Sequence, residues 1–332
     1  MSVKIFKAGI LDTVQDMGRY GHQHLGINPG GVMDRFAAQL ANMLVGNDIH
    51  KAVFELHFPA SVFVFQQAAL IALSGGNFCA SINGEKIPSL HPILINKGAV
   101  LQFHKIVKGA RCFMAVKDGF TVAAWLASYS THLKAAAGGF NGRALRKDDE
   151  ISFKQNDTLI NHLGKKDFLV LPWKADDKWE HTMGNEILLL PGNELNRMTD
   201  KSKEKMFGLP FTITNQSDRM GFRLKNEPLL TTTAEEVISS AVSFGTVQLL
   251  PEGQLIILMA DHQTTGGYPR VGHVISAHHS LLAQMKAGEM IRFRLADQQL
   301  AEELMIKQQQ HLLQLQNACT FRLEQYLHAN KH

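Results

Sequence analysis

The stretch Leu255–Pro269 reads L-I-I-L-M-A-D-H-Q-T-T-G-G-Y-P. Its first part is an uninterrupted apolar run of strand length; its second packs an acid, an amide, two hydroxyls and a glycine pair into a few residues. An apolar run bounded by turn residues reads as a buried strand, so the polar cluster is delivered at the strand's end as a short loop with exposed backbone. Gly266-Gly267 can take positive φ and let the main chain approach a ligand closely. Thr264, Thr265 and the loop N–H groups can donate to a carboxylate or phosphate, and Asp261 supplies an acceptor or base. The alternative is a tight turn whose hydroxyls satisfy nearby backbone groups.

Outward from this run, most segments read the same way. Val62–Phe65, Leu70–Leu73, Ile93–Ile95, Val100–Phe103, Cys112–Val116, Ile187–Leu190, Phe211–Thr214 and Met290–Leu295 are short apolar or alternating runs, separated by Gly, Pro, Asn and Asp clusters such as the hairpin dipeptide Asn83-Gly84. This spacing predicts a mainly β chain, sandwich or barrel, rather than alternating βαβ units. Helices are few. One is expected at Asp34–Val45, capped by Asp34, with Phe36, Leu40 and Leu44 on one face and Gly46 as terminator. A shorter one is expected at Ala277–Lys286, and a long one from about Asp297 to His328, where Gly and Pro are absent and Leu300, Leu304, Leu312, Leu315, Leu323 and Leu327 recur.

With 332 residues the chain is long enough for two domains, and 45% apolar with 19% charged residues is ordinary for a globular protein. The polar stretch between Lys154 and Asn185, holding Gln155-Asn156-Asp157, Lys165-Lys166-Asp167 and Lys174 to Lys178, is the natural connection. The expected layout is a first domain over 1–160, a connection over 161–185, a second domain over 186–296 and a terminal helix over 297–332. No apolar run is long enough to span a bilayer and the N-terminus lacks a signal-peptide pattern, so a cytoplasmic location without membrane contact is expected. Cys79, Cys112 and Cys319 lack metal-like spacing and read as reduced thiols. A net charge of +4 with interspersed signs argues against a nucleic-acid partner. No metal site is expected from His22-x-His24 or His278-His279, which lack acidic or thiol partners.

Two further segments carry chemistry. Gly9–Asp34 is glycine-rich and holds Gln15, Asp16 and Arg19; the guanidinium suits a carboxylate or phosphate, or else pairs with an aspartate to tie down the loop. Ser217-Asp218-Arg219-Met220-Gly221-Phe222-Arg223 places two arginines around a glycine, as an anion clamp or as a salt bridge to Asp218. Ser128, Ser130 and Thr131, with Gly138, Gly139, Gly142 and Arg143, make a similar polar loop. Glu55 is expected at a strand end on the surface, with a second site carboxylate as the alternative. No nucleophile elbow, phosphate-binding P-loop, dinucleotide fingerprint or zinc signature is present.

Taken together, D-T-V-Q-D-x-G-R-x-G from Asp12, G-I-x-x-G-G-x-M-D ending at Asp34, Ala41-Asn42-x-Leu44-Val45-Gly46-Asn47, S-x-S-T-x-L-K at Ser128–Lys134, S-D-R-M-G-x-R-L at Ser217–Leu224 and D-x-Q-T-T-G-G-Y-P at Asp261–Pro269 resemble one family. It is the biotin-dependent carboxyltransferase-like family that contains the bacterial 5-oxoprolinase C subunit (PxpC), KipA, allophanate hydrolase subunit 2-like proteins and the matching half of the carboxyltransferase region of urea carboxylase. The chain departs from its pattern at Lys117-Asp118-Gly119, at Leu145-Arg146-Lys147-Asp148-Asp149 and at His262.

The resemblance implies two tandem cyclophilin-like β-barrels. It implies one component of an ATP-dependent 5-oxoprolinase, opening 5-oxo-L-proline to L-glutamate in a complex with its A subunit plus a KipI-like B subunit. ATP would be the co-substrate, accompanied by Mg2+, and the substrate is small and anionic. No Met-Lys-Met biotin-carrier centre occurs, so no covalent biotin is expected here. Mapped onto this chain, Asp261, Arg219 and Asp16 are the expected catalytic residues. Gln15, Arg19, Arg223, Gln263, Thr264, Thr265, Gly266, Gly267 and Tyr268 are the expected binding residues. Two other roles share the fold: a KipA-like protein that captures a KipI-like kinase inhibitor, and a urea carboxylase-type component acting on carboxybiotin carried by another chain.

Overall fold

Alternating apolar positions become strands throughout, and the chain is mainly β. The computed structural model describes residues 2–154, 163–177, 184–232 and 237–329, with residues 327–329 as backbone only. Its contacts divide it into two compact units, one of residues 1–18, 34–179 and 310–332, the other of residues 19–33 and 180–309.

In the first unit the strands form two sheets. One runs Phe120–Thr121, Glu150–Phe153, Ser2–Lys7, Val62–Phe65, Val100–Phe103, Ala80–Ile82, Glu85–Lys86; the other runs Phe168–Val170, Pro92–Ile95, Ala69–Asn77, Lys108–Val116, Val53–His57, Thr13–Gln15. The core is built from alternate residues of both, among them Val3, Ile5, Phe54, Phe63, Ile71, Ile93, Leu101, Met114 and Ile151. Phe54 stacks on Phe120 with ring centroids 3.9 Å apart.

The opposite face of the second sheet is covered by helix α1, Arg35–Leu44. Asp34 caps it as expected, its carboxylate accepting from Ala37 N at 3.0 Å, and Gly46 leaves it at φ +68°. Ser74 Oγ donates to the carbonyl of Ala37, which fixes which face α1 covers.

That geometry corrects the expectation for Glu55. The register Glu55, Phe113, Ser74 puts Glu55 on the α1 face of an interior strand, and its side chain is fully buried. A strand that is interior to the sheet and covered by a helix hides both faces, so an acid in it is buried whatever its polarity. The expected connection is corrected too: Phe168–Val170, within 161–185, pairs with Pro92–Ile95 as an edge strand of this unit. Residues 155–162 and 178–183 of the expected connection lie outside the described residues.

The second unit is a closed barrel of seven strands in the order Glu186–Pro191, Arg270–Val274, Thr246–Leu249, Leu255–Leu258, Gly221–Lys225, Phe211–Ile213, Met290–Leu295. It closes where Met290–Leu295 runs parallel to Glu186–Pro191. Ile187, Leu189, Val247, Leu249, Leu255, Ile257, Val271, Ile291 and Phe293 fill it. Met33, at the end of the glycine-rich segment, is buried in this core. A two-stranded ribbon, Ser240–Ala241 with Thr265–Gly266, adds to the outside of the barrel.

Helix α2, Asp200–Gly208, was not expected; it is capped by Thr199. The helix expected at Ala277–Lys286 is shorter, a 3-10 turn Ser276–His278 followed by α3, His279–Ala283. The terminal helix α4 spans Gln298–Ala329, with Cys319 and Leu323 buried in the first unit. Cys79, Cys112 and Cys319 are free thiols. Among the described residues no helix is long and apolar enough to cross a membrane.

Candidate active site

The strand Leu255–Leu258 continues into Met259-Ala260, both buried, and delivers Asp261. The ladder outlasts the strand: Met259 N donates to Met220 O at 3.0 Å and Asp261 N to Arg219 O at 2.8 Å, so the backbone itself sets Arg219 beside Asp261. The guanidinium then grips the carboxylate at two points, Nε to Oδ2 at 2.8 Å and Nη2 to Oδ1 at 3.2 Å. Bidentate pairing of this kind is the strong form of the contact.

Asp218 is therefore not the partner. Its Oδ1 accepts from Met220 N at 2.7 Å and Gly221 N at 3.2 Å, turning the chain and leaving Arg219 for Asp261. Arg223 does not join Arg219 in a clamp. It lies in the strand Gly221–Lys225, where Phe222 and Leu224 are buried and Arg223 is exposed by the twofold alternation.

The glycine-rich segment closes over this pair from within the same unit. Arg219 Nη2 also donates to Gly31 O at 2.5 Å, and Asn28 Nδ2 donates to the carbonyl of Asp261 at 2.9 Å. Arg19 N donates to Pro29 O at 2.7 Å, which folds the segment back on itself. Gly30 has φ +60°, and a Cβ there would lie 3.0 Å from Arg19 Nη1 and 3.6 Å from Asp261 Oδ1. The Arg19 and Arg219 guanidiniums and the Asp261 carboxylate thus lie around Gly30-Gly31, with Arg19 1% and Arg219 5% exposed. Chemically, such a group has the charges to orient a carboxylate-bearing molecule, with Asp261 Oδ1 as an acceptor.

The rest of the D-H-Q-T-T-G-G-Y-P loop differs from an open cradle. Neither Gly266 nor Gly267 takes positive φ. Thr265–Gly266 pairs with Ser240–Ala241, and Thr264 O accepts from Val242 N at 3.2 Å, so this backbone is engaged in a ribbon. The glycines are needed for space: a Cβ at Gly266 would collide with Gln248 Nε2, and one at Gly267 would lie 3.1 Å from Ser239 Oγ. His262 is buried, its Nδ1 2.6 Å from Gln263 O, and burial pushes its imidazole below the usual range, toward the neutral form. Gln263 Nε2 reaches Gln248 Oε1 at 3.4 Å, and Tyr268 is exposed.

Gln15 and Asp16 belong to the first unit. Gln15 is buried, its Nε2 donating to Thr13 Oγ1 at 3.1 Å and Thr131 O at 3.3 Å. The Asp16 carboxylate is occupied by Ser128 Oγ at 2.7 Å, Ser130 Oγ at 2.5 Å, Tyr129 N at 2.6 Å and Gly18 N at 2.9 Å. A carboxylate with its acceptor capacity so filled holds a turn in place; it has little left for a reacting proton. Asn28 and Gln248 went unnoticed in the sequence: each is a single amide, one in a loop of turn residues and the other inside an apolar strand.

The model of the carboxyltransferase domain, subdomain A and B, matches residues 25–295. The chain belongs to this carboxyltransferase-domain family. Among its relatives, the 5-oxoprolinase C subunit of Escherichia coli is 33% identical over 291 residues, 88% of this chain and 90% of that protein. The same-named protein of Haemophilus influenzae is 31% identical, covering 91% and 94%. The urea amidolyase of Lachancea kluyveri is 28% identical over 91% of this chain but only 17% of its own length. The carboxyltransferase-domain fold recurs in the crystal structure of the Kluyveromyces lactis urea amidolyase, with a TM-score of 0.86 over 95% of this chain and 20% of that one, at 24% identity.

Proposed function

We propose that this chain works as the C subunit of an ATP-dependent 5-oxoprolinase, opening 5-oxo-L-proline to L-glutamate together with its A subunit plus a KipI-like B subunit. The observation that carries the reading is the similarity to two 5-oxoprolinase C subunits over nine-tenths of both partners' lengths, where the urea amidolyase match occupies a small part of a much longer protein. The site geometry is compatible with it.

A lactam is a poor electrophile, because nitrogen donates into the carbonyl. ATP supplies the phosphoryl group that activates the lactam oxygen, after which water adds to the carbonyl carbon, the C–N bond breaks with nitrogen leaving as the amine, and a second water cleaves the acyl phosphate left behind, releasing phosphate. The overall balance is 5-oxoproline, ATP and two waters to glutamate, ADP and phosphate. In this reading Arg19 receives the substrate carboxylate, Arg219 fixes the orientation of Asp261, and Asp261 Oδ1 accepts a proton or hydrogen bond at the reacting ring. Asp16 acts as a positioning residue.

The residues 264–267 do not fit a phosphate nest, since Thr265–Gly266 is paired in the ribbon, Thr264 O is taken by Val242 N and neither glycine has positive φ, and no phosphate contact is assigned to them or to the exposed Arg223. Among the described residues no three His, Cys, Asp or Glu side chains are grouped to hold a metal, so Mg2+ would enter with the nucleotide. Dependence on ATP supports a cytoplasmic assembly. The urea amidolyase similarity favours a second reading, a carboxyltransferase component that meets carboxybiotin on another chain. Glutamate formation by mixed A and B subunits, with and without this chain, decides: equal rates in its absence refute a catalytic role.

A further inference from the structure

Between Arg19 and Asp34 the chain reads Y-G-H-Q-H-L-G-I-N-P-G-G-V-M, without a Lys, Arg, Asp or Glu. Its two halves differ. Residues 28–33 are buried, with Asn28 donating to Asp261 O, Gly31 O accepting from Arg219 and Met33 in the barrel core. Residues 20–26 project from a base that Arg19 N closes by donating to Pro29 O at 2.7 Å. The 3-10 turn Gln23–Leu25 buries none of its residues, and a Cβ on Gly21 or Gly26 would meet nothing within 4 Å.

Hydrogen bonds within the projection set its shape. Gly21 N donates to Gln23 Oε1 at 2.9 Å, Leu25 N to His22 O at 3.0 Å and Gly26 N to Gln23 O at 2.9 Å. A loop already ordered in this way loses little conformational freedom when a partner closes on it. It carries Tyr20 at 52% and Leu25 at 64% exposure. Single exposed apolar residues are ordinary. Two on one short projection with no charged side chain have the composition of an interface core, which is depleted of charge and enriched in Tyr.

The kind of partner follows from where this domain occurs. Relatives that are 5-oxoprolinase C subunits imply companion subunits. The crystal structure of TTHA0988 matches 88% of this chain with 55% of its own, at 26% identity and a TM-score of 0.75, so there the domain stands in a longer protein, as it does in the urea amidolyase. The projection is also rooted on Arg19, whose Nη1 would lie 3.0 Å from a Cβ on Gly30, beside Asp261. A partner seated on it therefore reaches the candidate site. About half of an aromatic side chain is about 100 Å2, against roughly 800 Å2 on each side of a standard interface, so Tyr20 anchors a larger contact.

We propose that residues 20–26 are a docking projection whose Tyr20 and Leu25 enter an apolar groove on a companion subunit of the oxoprolinase. This rests on the 5-oxoprolinase reading and deepens it, by naming the part of this chain that meets its companion beside the site.

The experiment titrates the full chain with the A and the B subunit in a calorimeter and follows glutamate formation as the companion concentration rises. Tyr20→Ser with Leu25→Ser should weaken binding about thirtyfold or more, as the loss of an interface anchor does. The companion concentration giving half-maximal rate should rise by the same factor, with kcat at saturation within about threefold. Tyr20→Phe, which keeps the ring, should bind within about threefold of the wild type. Phe321→Ser is the control: Phe321 is 56% exposed on the terminal helix, and its loss should leave affinity unchanged. If the double variant melts early, Leu25→Ser alone serves, with a loss of about fivefold or more. Unchanged affinity in a folded variant, an equal loss in Phe321→Ser, or a fall in kcat at saturation without a change in affinity overturns the proposal and leaves the activity reading intact. If a subunit binds but the wild-type assembly forms no glutamate, the activity reading fails and the titrations alone decide the docking. Binding of neither subunit to the wild-type chain overturns both.

Discussion

Arg219 holds Asp261 by a two-point ion pair, Nε to Oδ2 at 2.8 Å and Nη2 to Oδ1 at 3.2 Å, while Nη2 also donates to Gly31 O. The pair is largely withdrawn from water, with side-chain exposures of 5% and 13%. Removing one partner of such a pair strands the other, at about 3–5 kcal/mol for a fully buried case. Arg219→Ala should therefore destabilise by about 3 kcal/mol in urea titration, whereas Asp261→Asn should cost less and lower turnover at least tenfold, about 1.4 kcal/mol of barrier. Full turnover in a folded Asp261→Asn assembly would remove Asp261 from the mechanism.

Gly30 bears on the same pair through space. At φ +60° an L side chain is strained, and a Cβ would press on Arg19 Nη1 at 3.0 Å. Gly26, at φ +77° with nothing within 4 Å of a Cβ, carries the strain without the contact. Gly30→Ala should cost about 1–2 kcal/mol and weaken substrate binding; Gly26→Ala should cost about 1 kcal/mol and leave binding alone. Equal effects of the two on KM would show that the Arg19 position does not matter.

Much of this was legible in the sequence, and the failures have physical causes. Strands such as Val100–Phe103 and Met290–Leu295 have the bounds that alternation gives them, because one face of each meets a core. The Arg219–Asp261 pairing, 42 positions apart, was not legible, because partner choice is tertiary and Asp218 is adjacent in sequence. Helix α2 escaped notice because D-K-S-K-E-K-M-F-G has no apolar stripe and buries only Ser202 and Met206. Glu55 was misplaced because two-sided burial of a strand depends on α1, which the strand's own residues do not encode. Gly266-Gly267 allows positive φ by its residue type, yet neither glycine takes it; Gly266 supplies room for Gln248 and Gly267 for Ser239.

Asp16 anchors a strained turn. Leu126 and Ala127 both have positive φ, at 50° and 57°, just before Ser128 and Ser130 reach the Asp16 carboxylate. Ser130 Oγ also accepts from Asp16 N at 2.9 Å, so Ser130→Ala removes two bonds at once. At about 1–3 kcal/mol for each buried group left unsatisfied, Ser130→Ala should cost about 2–3 kcal/mol and exceed Ser128→Ala. Ala127→Gly should stabilise by up to about 1 kcal/mol, since glycine takes that conformation without strain. Calorimetric melting of the three variants checks the ranking, and a destabilising Ala127→Gly would refute the strained turn.

Asp12 gives the fold a pH dependence opposite to that of an ion-paired acid. Its buried carboxyl accepts from His57 N at 2.8 Å and Ser61 N at 2.6 Å, but burial outweighs these bonds and, with Glu55 nearby, pushes it up to about 6. An unfolded aspartate titrates near 3.9, so between about pH 4 and 6 the folded chain keeps a proton that the unfolded chain has released. Unfolding then releases a proton, and this group's contribution to stability falls as pH rises, by up to about 1.4 kcal/mol per pH unit, before levelling above pH 6. Asp12→Asn is neutral throughout and keeps an acceptor for one of the two N–H groups. Its stability minus that of the wild type, from urea titrations at a series of pH values, should climb between pH 4 and 6 and stay flat above 7. A difference independent of pH would mean that Asp12 ionises in the fold as easily as in the open chain.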